Sequence, residues 1–393
     1  MKSNLLLAST LCASTLASRA AFSSLSTIEQ ADVIAQLAKW KAEYAPLAIE
    51  HGLVPQTILE SIGLVDSHTD DELDRFYNTL QDVAEAQKSN PEAEFSPFNV
   101  FALLTQAEFD KIYKTTFVGK TPTAEAPATE STTAVAPSID WTTNACNQPV
   151  RDQGQCGSCW AFSSVGTSEF AHCLATGQLL DLSEQQVVSC DTQSHGCDGG
   201  YASWAMNFER QGLCLESDYP YKSGDSQATG TCQKSCTKQA LTLGKTVESS
   251  GEDTIVSVLN TQPVTVYVIA DNSVWRNYQS GVVSSCPDAE TDHAVIAVGY
   301  DDKSFKIKNS WGSLWGDNGY IYLQRGTGGK GTCRVGEFVA YPDLNTAPSS
   351  SNSTTLQPTT APVVKPTKAP TTTKPTKTPK PTKTPKPTTT HAF

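Results

Sequence analysis

The sequence lacks any apolar run long enough to cross a bilayer, which takes about 20 apolar residues. The N-terminal run from Leu5 to Leu16 is shorter and is broken by Ser and Thr. Lys2 precedes it and small residues follow at 17–20, a pattern typical of a secretory signal peptide and its cleavage site. We therefore expect residues 1–20 to direct export and no later segment to span a membrane. The alternative is a cytosolic protein with an apolar N-terminus.

Basic residues are scarce through most of the chain, whose formal net charge is −12. Residues 21–135 carry 18 acidic and 7 basic side chains, and residues 136–345 carry 23 acidic and 13 basic ones. Nucleic-acid-binding proteins normally show a basic footprint, so we expect no nucleic-acid partner. Residues 346–393 reverse the balance, because they contain seven lysines and no acid.

Two segments lack the apolar residues that a core needs. Residues 346–393 are mostly Ser, Thr, Pro and Lys, with a Lys-Thr-Pro repeat from Lys374 to Thr388. This composition predicts an extended, disordered tail of the O-glycosylated type, and Asn352 opens an N-glycosylation sequon. The tail is either such a spacer or a basic segment that binds wall material. Residues 118–135 are rich in Ala, Thr, Pro and Glu, which predicts a linker open to proteolytic processing.

Cysteine is missing from residues 13–145, and the eleven cysteines after the predicted signal all lie between Cys146 and Cys333. A dense set in a secreted chain implies disulfides, and an odd number leaves one thiol over. We expect five disulfides, with Cys159 kept as the thiol.

Residues 21–117 are predicted to be mainly helical. An apolar stripe at helical spacing comprises Ile34, Leu37, Trp40 and Tyr44. Acidic residues suited to a helix N-terminus predict a second helix over 70–89. Phe98, Val100 and Phe101 predict a short strand.

Residues 136–345 change from a helix-rich half to a strand-rich half, which predicts an α+β body of two lobes with a cleft between them. Helices are expected after Cys159 and around 183–190. Apolar, strand-like runs follow at Val264–Ala270, His293–Gly299, Phe305–Lys308 and Tyr320–Gln324.

Cys159 lies in the run Gln153-Gly154-Gln155-Cys156-Gly157-Ser158-Cys159-Trp160-Ala161-Phe162. A cysteine is a strong nucleophile only as its thiolate. Small residues precede a helix-forming stretch here, so the sulfur is expected at a helix N-terminus, which favours negative charge. His293 lies 134 positions after Cys159, and Asn309 lies 150 positions after it.

These motifs resemble the papain and cathepsin L-like family of cysteine proteases, whose nucleophile lies in a Cys-Gly-Ser-Cys-Trp run with His and Asn downstream. Further blocks of the family are Leu182-Ser183-Glu184-Gln185-Gln186, Gly196-Cys197-Asp198-Gly199-Gly200, Tyr219-Pro220-Tyr221 and Asn318-Gly319-Tyr320. The resemblance covers residues 136–345 and implies a peptidase domain there that uses no cofactor or metal. No insertion resembles the occluding loop of dipeptidase members, so it implies an endopeptidase acting on peptides and proteins.

The resemblance assigns four catalytic roles. Cys159 is the nucleophile, His293 the acid and base, and Asn309 orients the imidazole. Gln153 donates to the oxyanion beside the backbone N–H of Cys159, and the ring of Trp311 shields the bond between His293 and Asn309.

It also assigns substrate contacts and disulfides. Substrate backbone runs beside Gly199 and Gly200, and the S2 pocket is lined by Tyr201, Ala202, Tyr267, Ala294 and Phe338. No acid lies among them, so a hydrophobic P2 residue is expected, with Leu favoured over Phe because Phe338 lies at the base. The family disulfides are Cys156–Cys197, Cys190–Cys232 and Cys286–Cys333. Cys214–Cys236 resembles an additional disulfide found in some members of the family. Cys146 and Cys173 then remain and are expected to pair by elimination.

Residues 21–117 resemble the inhibitory propeptide of the family less closely. Arg75 and Asn90 match two positions of its helical pattern, and Asn99 and Phe101 match two positions of a second motif. Leu103 stands where that motif has an aspartate, which puts the pH-sensing role of that position in doubt. An unrelated helical domain is the alternative.

Other interpretations remain open. The pair Cys156 and Cys159 has the spacing of a redox disulfide or half a metal site. His293 could be structural, and Trp311 and Trp315 could be core aromatics. The chain could be a silent binding protein on this scaffold, or a transpeptidase that passes the acyl group to an amine. A lysosome or vacuole is the alternative to secretion.

Overall fold

The computed structural model describes residues 19–113, 117 and 135–347. Most of the predicted signal peptide, nearly all of the predicted linker and the tail with Asn352 lie outside these residues.

The N-terminal segment forms four helices and one strand. They are α1 (Thr27–Glu43), α2 (Ala45–Glu50), α3 (Asp70–Ser89), β1 (Ala93–Phe95) and α4 (Gln106–Tyr113). The predicted helix over 70–89 is confirmed as α3. It begins there because Thr69 caps it with a reciprocal capping box, in which Thr69 and Glu72 each accept the other's backbone N–H.

Two local predictions in this segment were wrong. The buried face of α1 contains Val33, Leu37 and Trp40, whereas Ile34 is 38% exposed on its edge. The strand lies at 93–95, and Val100 and Phe101 lie in a turn. The side chain of Asn99 explains the turn, because it accepts from the N–H of Phe101 at 2.8 Å and donates to the carbonyl of Ser96 at 2.9 Å.

Six α-helices follow residue 135 in the described part of the chain. They are α5 (Cys159–Thr176), α6 (Glu184–Cys190), α7 (Ala202–Glu209), α8 (Ser223–Ser226), α9 (Glu252–Leu259) and α10 (Ser273–Asn277). The predicted helices after Cys159 and around 183–190 are confirmed. Nearly all of α5 is buried, as expected of a helix packed on several sides, and it ends where Gly177 adopts a left-handed cap with φ 76°.

The sheet contains β1 and eight further strands. These are β2 (Ile139–Asp140), β3 (Thr246–Ser249), β4 (Val264–Val268), β5 (Tyr278–Val283), β6 (His293–Tyr300), β7 (Ser304–Lys308), β8 (Tyr320–Gln324) and β9 (Val339–Pro342). Their order is β1-β5-β8-β7-β6-β4-β9-β3, with β2 pairing with β6. Every pairing is antiparallel except β5 with β8. The four predicted strands are confirmed with small changes at their ends, and β1 adds a strand from the N-terminal segment to the edge of the sheet.

The α+β class and the two lobes are confirmed. The helical lobe has its own apolar core around Trp160, Val165 and Val187, while the sheet shares a second core with the N-terminal segment. The structure contains the four disulfides that the resemblance implies, Cys156–Cys197, Cys190–Cys232, Cys214–Cys236 and Cys286–Cys333. It also contains Cys146–Cys173, the pair expected by elimination. None of the helices in the described part of the chain is long and apolar enough to cross a membrane.

Candidate active site

Cys159 is the first residue of α5 and is fully buried. It is the one cysteine among the described residues that forms no disulfide. Cys156 bonds to Cys197, so the pair at CxxC spacing is not a disulfide here. The Sγ atom of Cys159 accepts from the backbone N–H of Ala294 at 3.4 Å. The helical lobe therefore presents its thiol at a helix N-terminus directly beside strand β6 of the other lobe.

His293 opens β6, and Asn309 follows β7, the next strand of the sheet. The Nε2 atom of His293 lies 2.7 Å from Oδ1 of Asn309, which also accepts from the N–H of Ser310 at 2.8 Å. Because an amide oxygen only accepts, Nε2 carries the proton and Nδ1 holds the free lone pair. Nδ1 is buried and has no hydrogen-bond partner among the described residues.

Burial lowers the pKa of His293 to about 4, and the hydrogen bond to Asn309 acts in the opposite direction. The ring is 1% exposed. The imidazole is therefore neutral at neutral pH in this covered form, which is the state that can accept a proton.

Gln153 is held at both ends of its side chain. Its Oε1 accepts from the hydroxyl of Ser310 at 2.7 Å, and its Nε2 donates to the carbonyl of Cys156 at 3.0 Å. Its backbone N–H donates to the carbonyl of Ser310 at 2.9 Å. These bonds fix the amide on the segment that leads to Cys159, and the amide still has a second proton for another acceptor.

Aromatic rings enclose the histidine. The ring of Trp311 lies 5.0 Å from that of His293 between centroids. Trp315 stacks on Trp275 at 5.7 Å and donates its indole N–H to the Trp275 carbonyl at 2.8 Å. Trp311 and Trp315 both lie in the apolar core, and Trp311 in addition lies against the His293 ring. Sequence reasoning missed Trp275 and Ser310, although Ser310 lies within the quoted Asn-Ser-Trp-Gly run.

The model of the papain family of cysteine proteases matches residues 135–343. The chain belongs to this family. Chymopapain of Carica papaya is 37% identical over 279 residues, which are 68% of this chain and 78% of the relative. Mexicain of Jacaratia mexicana is 39% identical over 200 residues, which are 50% of this chain and 93% of the relative.

The crystal structure of the Amb a 11 cysteine protease of ragweed pollen in its proform aligns with a TM-score of 0.63 at 29% identity. It covers 70% of this chain and 88% of that protein. Because the family model begins at residue 135, this match extends into the N-terminal segment. The chain is therefore a papain-like cysteine peptidase in zymogen form, and its N-terminal segment is the propeptide.

The five residues predicted to line the S2 pocket of this papain-family chain lie together in one apolar cluster around Cys159. Tyr201, Ala202, Tyr267 and Ala294 cluster with Cys159, and Phe338 packs on the same cluster. Phe117, just before the predicted linker, places its ring 4.9 Å from Tyr267 and 5.4 Å from Tyr201. Sequence reasoning missed Phe117, because nothing in the neighbouring sequence indicates that its ring contacts Tyr201 and Tyr267.

The two predicted backbone-binding glycines precede α7. Gly199 has a φ of 121°, which disfavours any side chain. A Cβ atom on Gly200 would lie 2.8 Å from the ring of Trp160 and 2.6 Å from Ser194. Gly199 is therefore required by its backbone conformation and Gly200 by packing, whatever they bind.

The propeptide contacts both the sheet and the aromatic cover of the site. β1 pairs with β5, and Asn90 accepts through Oδ1 from the N–H groups of Ser284 at 2.9 Å and Ser285 at 2.8 Å. Asp82 of α3 forms an ion pair with Arg276, and the side chains are 6% and 3% exposed. The rings of Phe101, Phe109 and Tyr113 lie 6.0, 5.4 and 5.0 Å from the Trp311 ring. The propeptide therefore covers the ring that lies against His293.

Proposed function

We propose that the chain is a secreted cysteine endopeptidase that cleaves peptide bonds through Cys159, His293 and Asn309. One observation carries this proposal: a buried histidine is oriented by an asparagine through Nε2 and keeps a lone pair on Nδ1. It lies next to a residue whose N–H contacts the thiol at the start of α5. A nucleophile, a base and an orienting group are the parts that acyl transfer by a cysteine needs.

The reaction begins when Nδ1 of His293 takes the proton of Cys159, once the propeptide has left. The thiolate attacks the scissile carbonyl, and the oxyanion accepts hydrogen bonds from Nε2 of Gln153 and the N–H of Cys159. The imidazolium then protonates the leaving amine, which leaves a thioester. His293 next takes a proton from water, the water attacks the thioester, and the acid product departs as the thiol is restored.

The first test is hydrolysis of a fluorogenic Leu-Arg peptide at mildly acidic pH with a reducing agent. We expect turnover once the propeptide has been removed. Absence of turnover in the fully processed protein would instead support a silent binding protein. Adding an amine acceptor and analysing the products measures the balance between hydrolysis and transpeptidation.

The second part of the proposal is a hydrophobic preference at P2. It is supported by the apolar side chains that cluster with Cys159. It is also supported by Phe117, whose ring packs against Tyr201 and Tyr267 in the zymogen. A charged P2 side chain would lose its hydration in such a pocket without gaining a partner.

We predict that Phe338→Glu raises kcat/KM for an Arg-Arg peptide about tenfold or more, because the new carboxylate offers a charge partner at the pocket base. The wild-type enzyme should strongly prefer Leu-Arg over Arg-Arg. The measurement is kcat/KM for both peptides, with Phe338→Leu as the control that keeps an apolar base. If Phe338→Glu gains nothing on Arg-Arg, Phe338 does not lie in the S2 pocket.

The third part is activation by acid, with self-processing in the 118–135 linker. Its support is an ion-pair network in which Arg75 connects carboxylates of two propeptide helices. Arg75 bonds Asp71 at 2.9 Å and Glu108 through both guanidinium ends, which joins α3 to α4. Burial tends to raise the pKa of Glu108, but its bonds to Arg75 and Thr105 outweigh this, and its pKa is lowered. A lowered pKa gives stability that is present at neutral pH and is lost as the pH falls.

We predict that the melting temperature of the propeptide unit falls as the pH drops below the ordinary glutamate range of about 4. Glu108→Gln should lower it at neutral pH and flatten its pH dependence. The measurement is thermal unfolding of the Cys159→Ala zymogen, which cannot process itself, with exposed Glu60→Gln as the control. An unchanged pH profile in Glu108→Gln would show that other carboxylates sense the acid.

The place of action is also part of the proposal. The expected signal peptide supports export, and a lysosome or vacuole is the competing destination. Fractionation of expressing cells and medium separates the two. Comparison of the full chain with a form lacking residues 346–393 for binding to wall material tests whether the tail, with its sequon at Asn352, is a spacer or an anchor.

A further inference from the structure

The hydroxyl of Tyr221 lies between two chain segments of the active site. It is 2.8 Å from the backbone carbonyl oxygen of Gln153 and 2.8 Å from Oγ of Ser158. Ser158 directly precedes Cys159 and occupies the N-cap position of α5, without a capping bond from its side chain. One phenol therefore contacts both the residue that carries the proposed amide donor and the residue before the proposed N–H donor.

Only one arrangement of the hydroxyl protons of Tyr221 and Ser158 fits these contacts. A backbone carbonyl only accepts, so the phenol donates to Gln153 and its oxygen accepts from the hydroxyl of Ser158. The other acceptor near Ser158 is the carbonyl of Cys156 at 3.3 Å, which already accepts from Nε2 of Gln153 and from the N–H of Ser158. Burial raises the pKa of Tyr221, so the donor proton is retained at every working pH.

The helical lobe itself fixes the ring. Tyr221 meets the ring of Phe162, in the first turn of α5, edge-on at 4.8 Å between centroids. Its backbone N–H donates to Oε1 of Glu216 at 2.7 Å. A Cβ atom on Gly224 would lie 3.0 Å from its ring, so the chain passes close on that side. Each of these partners belongs to the peptidase domain, so the propeptide supplies none of the contacts that fix the hydroxyl.

We propose that Tyr221 is a positioning residue that sets the separation between the two oxyanion donors, the amide of Gln153 and the N–H of Cys159. This inference rests on the proposed function, which assigns those donors. They lie on separate segments, and donors of this kind act only within about 2.7–3.1 Å of the oxyanion position. A displacement of a catalytic group by about 1 Å can lower the rate about 100-fold. A hydrogen-bonded link that holds the two donor segments in place therefore affects turnover.

The test compares Tyr221→Phe with the processed wild-type enzyme. The variant keeps the ring and removes only the oxygen. Three quantities are measured: kcat and KM for Leu-Arg hydrolysis, the Ki of a peptide aldehyde, and the rate of alkylation by iodoacetamide against pH. The aldehyde adds the thiol to form a tetrahedral hemithioacetal whose oxygen occupies the oxyanion position, whereas alkylation reports only the thiolate.

We expect Tyr221→Phe to lower kcat and raise the aldehyde Ki, each roughly tenfold. A tenfold change corresponds to about the net free energy of one hydrogen bond. KM and the pH profile of alkylation should not change. Tyr219→Phe is the matched control, since that hydroxyl bonds the carbonyl of Thr231 at 3.0 Å and the N–H of Gln233 at 3.2 Å, and it should leave all three quantities unchanged.

Two results overturn the inference. One is Tyr221→Phe with wild-type kcat and aldehyde affinity. The other is an equal loss in alkylation, which would mean that Tyr221 supports the thiolate and not the oxyanion donors. Gln153→Ala separates the inference from its premise. If Gln153→Ala binds the aldehyde with wild-type affinity, Gln153 is not the oxyanion donor that the proposed function assigns. The role inferred for Tyr221 then fails as well.

Discussion

Cys159→Ala is expected to abolish hydrolysis of the Leu-Arg peptide, with a loss of about a million-fold in kcat, as when a catalytic nucleophile is removed from a comparable hydrolase. The reason is that the other groups of the site only prepare and stabilise the attack. Without the sulfur, His293 has no thiol to deprotonate and no acyl-enzyme forms.

The variant should fold normally, because it removes one buried atom, and the hydrogen bond that this atom accepts from the N–H of Ala294 is long, at 3.4 Å. The measurement is steady-state turnover of the processed protein beside its thermal unfolding. Ser163→Ala, in the next turn of α5, is the control, since its hydroxyl only returns to the carbonyl of Trp160 at 3.3 Å. Turnover by Cys159→Ala at a rate like that of Ser163→Ala would place the nucleophile elsewhere.

The same variant tests the source of processing. If the zymogen cuts its own 118–135 linker, Cys159→Ala should accumulate at full length under acid conditions. Cleavage at the wild-type rate would show that another protease does the cutting.

Asp82→Asn is expected to weaken docking of the propeptide by about 100- to 4,000-fold. Asp82 and Arg276 form an ion pair in which both side chains are almost fully buried. Burial lowers the pKa of Arg276, and Asp82 opposes that effect. Breaking a buried pair by removing one partner leaves an uncompensated charge and costs about 3–5 kcal/mol, where each 1.4 kcal/mol is about tenfold in affinity.

The result is measured as the rate at which activity appears from the zymogen at neutral pH. Asp74→Asn is the matched control, because Asp74 is an exposed aspartate of the same helix and accepts from the N–H of Phe22 within the propeptide. Asp82→Asn should activate much faster than Asp74→Asn. Equal rates would mean that the other contacts of the propeptide, such as β1, Asn90 and the aromatic rings, decide the docking without this ion pair.

The sequence predicted most of the regular structure because those signals are local. The capping pair Thr69 and Glu72 lies within one helical turn, and alternating or continuous apolar runs predict the strands. It failed at Phe98–Phe101, where hydrogen bonds from the side chain of Asn99 bend an apolar stretch into a turn. It also placed Ile34 on the wrong side of a helix whose buried face starts one residue earlier.

The residues proposed for catalysis could be named from the chain alone, because the motif around Cys159 and the spacing to His293 and Asn309 are properties of order along the sequence. Folding decided what surrounds them. Arg276 meets Asp82 across 194 positions, Tyr221 meets Gln153 across 68, and Phe117 meets Tyr201 across 84. No local period predicts such contacts, since they depend on how two lobes and a propeptide pack together. The sequence by itself therefore determined the chemistry available to this protein, and only the tertiary structure decided how that chemistry is covered and aligned.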